Sequence, residues 1–154
     1  MTTLYILMGV PGAGKTTFAK TILKNAVWIS SDQLRKELLG KEMTLQKHAY
    51  IHKIMKKQMY KHLSNGKDVV IDCSNLRRKQ RESYFKYIPK NTKVILIFIN
   101  TPLLQCLKNN LKRERHVPEL GLLFMYFTKQ NPKKTERFNK IIKIENNLKR
   151  RTIW

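Results

Sequence analysis

Acidic side chains are scarce in this chain: 10 Asp and Glu stand against 32 Lys and Arg, a net charge of +22 over 154 residues. Cysteine is scarcer still, and Cys73 and Cys106 are too few for a disulfide framework or a zinc site, so a reducing intracellular, cytoplasmic compartment is expected. Six glycines and five prolines beside 42% hydrophobic and 27% charged residues exclude collagen-like, low-complexity and wholly disordered chains. Long apolar runs are missing as well. Leu4–Val10, Val94–Ile99 and Leu122–Phe127 have strand or short-helix length, which argues against a membrane span. The first of them follows no basic n-region and leads into a glycine loop instead of a cleavage site, so no signal peptide is read. At roughly 100–200 residues per domain, residues 1–154 are expected to form one domain.

What is present in excess is positive charge, enough to attract polyanions and steer them at a distance, which makes nucleic acid the leading partner. The excess is uneven: residues 1–75 carry 12 basic and 5 acidic side chains (+7), and residues 76–154 carry 20 and 5 (+15). The polyanion surface is therefore expected mainly in the second half, with Arg77, Arg78, Lys79 and Arg81 as candidates. A blander reading is that 23 Lys, 14 Ile and 11 Asn reflect an AT-rich coding genome, as in a phage or virus, with lysines on solvated faces.

Hydrophobic spacing alternates between strand and helix periods. Strands are predicted over Leu4–Met8, Ala26–Ile29, Asp68–Asp72, Lys93–Ile99 and Ile141–Ile144. Between them the pattern predicts helices over Thr16–Leu23, from Asp32 to a stop at Gly40, Thr44–Leu63, Arg77–Ile88, Pro102–Leu111 and Pro118–Thr128. A basic stretch, Lys112–His116, interrupts the pattern, and a basic tail occupies about 146–154. Strands joined by helical segments imply right-handed crossovers. The expected fold is α/β, a doubly wound parallel sheet of about four or five strands with helices on both faces.

Gly9-Val10-Pro11-Gly12-Ala13-Gly14-Lys15-Thr16 matches G-x-x-x-x-G-K-[ST] in full, between a predicted strand and a predicted helix. Glycines let backbone N–H groups curl around phosphate, and the helix N-terminus adds partial positive charge. Gly9, Pro11, Gly12, Ala13, Gly14, Lys15, Thr16 and the following Thr17 are thus the expected contacts to ATP or another NTP. Lys15 would reach the β- and γ-phosphates and Thr16 would ligate Mg²⁺. Asp32 and Arg35, one helical turn apart after the second strand, can serve one substrate: the carboxylate accepts a hydroxyl proton and the guanidinium grips phosphate. The plainer alternative is a helix cap and a solvated charge.

Val69-Val70-Ile71-Asp72 resembles a Walker B strand, whose terminal acid assists Mg²⁺ or organises the acceptor. Ser74 and Asn75 follow, as substrate contacts or as a cap of the next helix. The stretch Lys112-Arg113-Glu114-Arg115-His116-Val117-Pro118 is a candidate lid over 112–118, with Arg113 as the expected lid arginine and Arg115 in reserve. His48, His52, His62 and His116 lack metal-ligand spacing and are given no role.

Taken together, Gly9–Thr16, Ser31–Arg35, Val69–Asn75 and Asn110–Pro118 resemble the kinase domain of phage-type 5′-hydroxyl polynucleotide kinases, among the adenylate-kinase-like P-loop kinases. The resemblance implies a P-loop kinase fold with a small arginine lid, and γ-phosphate transfer from ATP to 5′-OH ends of DNA or RNA, a nucleic-acid repair reaction. It implies Asp32 as general base, Arg35 as contact to the acceptor's phosphate and Arg113 as lid arginine. Two departures stand out. Where the phage enzyme has an acid directly before a Thr-Asn pair, this chain has Cys73 before Ser74-Asn75, with the acid one residue earlier at Asp72. The length also leaves room for the kinase half alone, without the 3′-phosphatase domain such enzymes often carry. Rival readings are a kinase of a small acceptor, such as a nucleoside, nucleotide or sugar, and a basic NTP-binding nucleic-acid module without turnover.

Overall fold

The computed structural model describes residues 1–39, 45–114 and 116–146. Five strands, β1 (Thr2–Met8), β2 (Val27–Ser30), β3 (Val69–Asp72), β4 (Thr92–Asn100) and β5 (Lys140–Glu145), form one sheet in the order β2-β3-β1-β4-β5. Every pairing is parallel, with Leu4 opposite Val69 on one side of β1 and Val94 on the other. Among the described residues, six α-helices connect or flank the strands: α1 (Lys15–Thr21), α2 (Ser31–Leu39), α3 (Leu45–Ser64), α4 (Arg78–Ser83), α5 (Leu103–Leu111) and α6 (Glu119–Thr128). The β1-to-β2 step runs opposite to the later steps in the strand order, so right-handed crossovers put α1 and α3 on opposite faces.

Burial on both faces explains the unbroken apolar strands. Ile6–Met8, Val69–Ile71 and Val94–Ile99 are buried throughout, against Ile51, Met55, Met59 and Leu63 of α3 among others. The rim is pinned by polar contacts, such as the Asp68 carboxylate accepting the Thr3 amide at 2.7 Å. No helix among the described residues is long and apolar enough to cross a membrane.

Most expected elements form with ends shifted by one or two residues, and the place of two prolines and the form of Arg77–Ile88 differ in kind. Pro102 and Pro118 are not first helical residues: both have extended ψ near 140° and cap helices that begin one residue later. The single helix expected over Arg77–Ile88 is α4 followed by a 3₁₀ turn, Tyr84–Tyr87, a tightening that accompanies full burial of Tyr84 with its hydroxyl donating to Asn75 Oδ1 at 2.8 Å. The helix stop at Gly40, the start at Thr44 and the tail over 147–154 lie outside the described residues.

Candidate active site

The carboxyl ends of β1, β2 and β3 open into a cavity of about 1020 Å³, the place where open parallel sheets take ligands. Pro11, Gly12, Gly14, Lys15, Thr16 and Thr17 line one side of it, and Asp32, Arg35 and Arg113 line it too. The loop's shape requires glycine at two points. Gly12 (φ +83°) lies so near α5 that a Cβ would stand 2.4 Å from the Cys106 carbonyl oxygen, and Gly14 has φ +100°. Gly9 and Ala13 sit behind the loop: the Gly9 amide donates to the Ser74 carbonyl at 3.1 Å, and Ala13 O accepts the Thr101 hydroxyl at 2.7 Å.

Lys15 is 9% exposed, and its ammonium donates to the Val10 carbonyl at 3.1 Å, within its own loop. Burial pulls its pKa below the ordinary lysine value. Asp72 opposes that pull, Arg113 adds to it, and Cys73 and Asp32 oppose it more weakly. Thr16 Oγ1 donates to Asp72 Oδ2 at 2.6 Å, and Trp28 Nε1 donates to the same oxygen at 3.0 Å. Asp72, read from sequence as assisting Mg²⁺ or organising the acceptor, is thus bonded to the phosphate loop. The hydroxyl and carboxylate form an oxygen pair of the kind that suits Mg²⁺.

Asp32 stands between two guanidiniums. Arg35 Nη1 donates to Oδ1 at 3.0 Å and Arg113 Nη2 to Oδ2 at 2.6 Å. The two arginines come from α2 and from the segment after α5, so Arg113, 81 residues from Asp32 in sequence, meets Arg35 on one carboxylate. Asn110, buried at the end of α5, closes that segment: its Nδ2 donates to the Val117 carbonyl at 2.7 Å and its Oδ1 accepts the Val117 amide at 3.0 Å. Asn109 Nδ2 donates to Gly12 O at 2.9 Å, tying the end of α5 to the phosphate loop. Arg115, the reserve lid arginine, lies outside the described residues.

Two expectations are corrected here. Asn75 does not reach the cavity: it is fully buried, in a left-handed turn (φ 49°), with Nδ2 donating to Leu7 O and Cys73 O. Ser74, its neighbour, does line the cavity. Arg81 is no polyanion contact, since it is completely buried with Nε and Nη2 on the two oxygens of Glu136 and Nη1 on the Asn75 carbonyl. Arg78 shares Glu136 at 3.7 Å, while Arg77 lines the cavity and Lys79 is exposed.

Sequence reading missed His48 and Trp28. His48 lines the cavity, and its Nδ1 lies 2.9 Å from Arg35 Nη2. The available signal was its spacing: His48 and His52 lie on the helix face of Ile51, Met55 and Met59, where solvated charge is not expected. His116 also lines the cavity. Trp28 carried no signal, because its bond to Asp72 depends on how β2 and β3 align.

A family model described as an AAA domain, AAA_33, matches residues 4–123. Among curated proteins, the L-seryl-tRNA(Sec) kinase of Methanococcus maripaludis is 27% identical over 129 residues, covering 80% of this chain and 51% of its own length. Transcription factor bHLH140 of Arabidopsis thaliana is 28% identical over 148 residues, 89% of this chain and 15% of its own. The chain thus spans about half of one relative and a small part of the other. A sugar kinase from Janibacter sp. HTCC2649 superposes with a TM-score of 0.71 at 21% identity, covering 94% of this chain and 86% of that one. A chain of the Pnkp1/Rnl/Hen1 RNA repair complex does so at 0.71 and 21%, covering 82% and 43%. With its five-stranded parallel sheet and complete phosphate loop, the chain belongs to the AAA_33 family and has the P-loop kinase fold.

Proposed function

We propose that the chain is an ATP-dependent kinase transferring the γ-phosphate to the 5′-hydroxyl end of DNA or RNA. The observation that carries this reading is one cavity lined both by Lys15 and Thr16 of the phosphate loop and by Asp32 held between Arg35 and Arg113. Lys15 and the loop amides bind the β- and γ-phosphates. Thr16 and Asp72 are the residues that would hold Mg²⁺, which when bound offsets charge on those phosphates.

Asp32 accepts the proton of the acceptor hydroxyl as its oxygen bonds the γ-phosphorus and the bond to the bridging oxygen of ADP breaks. Arg113 stabilises charge on the transferred group, and Arg35 grips the phosphate next to the reacting hydroxyl, with Ser74 on the same wall. Support for a polynucleotide acceptor comes from the +22 charge, from a relative named a seryl-tRNA kinase and from the likeness to a chain of an RNA repair complex. A second reading, a small-acceptor kinase, draws on the sugar kinase that this chain matches over most of its length.

Transfer of labelled γ-phosphate to 5′-OH oligonucleotides, nucleosides and sugars separates the two. The proposal expects the oligonucleotides to be labelled with the highest kcat/KM. Labelling of a nucleoside or sugar in preference to every oligonucleotide would replace it with the second reading.

A further inference from the structure

We propose that His48, backed by His52, is a positioning residue that sets the guanidinium of Arg35 for an anionic acceptor; the inference rests on Arg35 being the acceptor-phosphate contact. A guanidinium donates and never accepts. With Arg35 Nη2 2.9 Å from His48 Nδ1, that ring nitrogen must be the acceptor, and the neutral ring carries its hydrogen on Nε2. His48 Nε2 lies 3.1 Å from His52 Nε2, so the His48 N–H donates and His52 accepts, with its own hydrogen on Nδ1. Arg35, His48 and His52 then form a relay in which each group donates to the next. A proton added to either ring would set two N–H groups against each other, so the relay holds with both rings neutral. Burial, the largest cause, holds His52 down to about 4, with the charges of Arg35 and Lys56 adding to it, which keeps that ring neutral at physiological pH.

The relay matters for how Arg35 meets a ligand. The side chain is nine-tenths buried and lines the cavity, with Nη1 fixed by Asp32 and Nη2 by His48. Its buried Nε has no hydrogen-bond partner in the structure. A buried donor without a partner is costly, and an acceptor phosphate oxygen relieves that cost while forming a charge-assisted bond. Without His48 the guanidinium is held at one end and turns about Cδ–Nε, so its unpaired donor is no longer pre-set. Specificity for acceptors with a phosphate beside the hydroxyl therefore depends on a histidine that does not itself touch the phosphate.

The test compares His48→Leu, which keeps bulk and loses the acceptor, with His48→Asn, whose Oδ1 takes the place of Nδ1. Each is assayed on a 5′-OH oligonucleotide and on the same oligonucleotide with its first phosphate replaced by an uncharged methylphosphonate. The ratio of the two KM values should shrink by about tenfold in His48→Leu, the loss of one charge-assisted hydrogen bond, and be restored in His48→Asn. An unchanged ratio in His48→Leu, or equal damage in both variants, would overturn the relay. A wild-type protein that labels no oligonucleotide would remove the kinase reading instead. In that case long-range ¹H–¹⁵N spectra still decide the relay: hydrogen on Nε2 of His48 and Nδ1 of His52 supports it, and any other arrangement at neutral pH overturns it.

Discussion

Two arginine–carboxylate clusters in this molecule look alike in sequence and do different things. Around Glu136, Arg81 is wholly buried, its Nε, Nη1 and Nη2 each have a partner, and the carboxylate is 10% exposed. Around Asp32, Arg35 is almost as deeply buried, yet its Nε has no partner and the carboxylate is 47% exposed. Burial of the arginine therefore does not separate scaffold from chemistry. The open carboxylate does, because a reacting group must still reach it; an unpartnered buried donor does not, since Arg78 Nε beside Glu136 lacks a hydrogen-bond partner as well. The Glu136 cluster also serves the site at a distance. Arg81 holds the Asn75 carbonyl, and Asn75 ties the loop carrying Asp72 and Ser74 to β1 through Leu7.

Substitutions that separate a reacting wall from a scaffold sharpen that contrast. The largest effect belongs to Lys15→Ala, which should lower kcat/KM for phosphoryl transfer by about 10³–10⁵, as expected when a charge on the transferred phosphate is lost. Steady-state labelling checks it while the melting temperature stays near wild type. Arg81→Leu should do the reverse, leaving the Glu136 charge buried and costing about 3–5 kcal/mol, a fall of roughly 6–20 °C in a thermal melt.

Arg35→Lys keeps the charge and loses the planar fork. It should raise KM for phosphate-bearing acceptors by about 10–100-fold while affecting a bare nucleoside little, which parallel assays of the two acceptors would show. The smallest effect is a pH dependence. Burial works to raise the Glu136 pKa, but the Arg81 bond, the Lys133 amide and the charges of Arg81 and Arg78 outweigh it, so the folded value lies below the ordinary 4.5. Its contribution to stability is then present above the ordinary glutamate range and is lost as pH falls through the folded value. The melting-temperature gap between wild type and Glu136→Gln should narrow as pH drops below that range.

Much of the site was legible because local rules wrote it. The phosphate loop is a contiguous motif whose glycines answer to backbone shape, and Asp32 and Arg35 lie one turn apart on a single helix. Arg113 was reached through the basic stretch, although its bond to Asp32 joins distant parts of the chain. Asn75 and Arg81 were misread for one reason: polar residues in a basic, polar stretch resemble a surface until Tyr84 and Glu136 close around them. Glu136 lies 55 residues from Arg81, and nothing in its local pattern marks it as a buried partner. His48 was dismissed as a metal ligand, yet a histidine beside an arginine needs no metal.

Asp32 decides between an enzyme and a basic module that binds NTP without turnover. Asp32→Asn keeps the size and one acceptor oxygen, hence one of the two arginine bonds, while losing basicity. Single-turnover transfer to a 5′-OH oligonucleotide, measured beside ATP affinity, should show the rate falling by about 10²–10⁴ with ATP binding retained. A variant that transferred phosphate at the wild-type rate would contradict the assignment of Asp32 as the base and, with it, the account of this cavity.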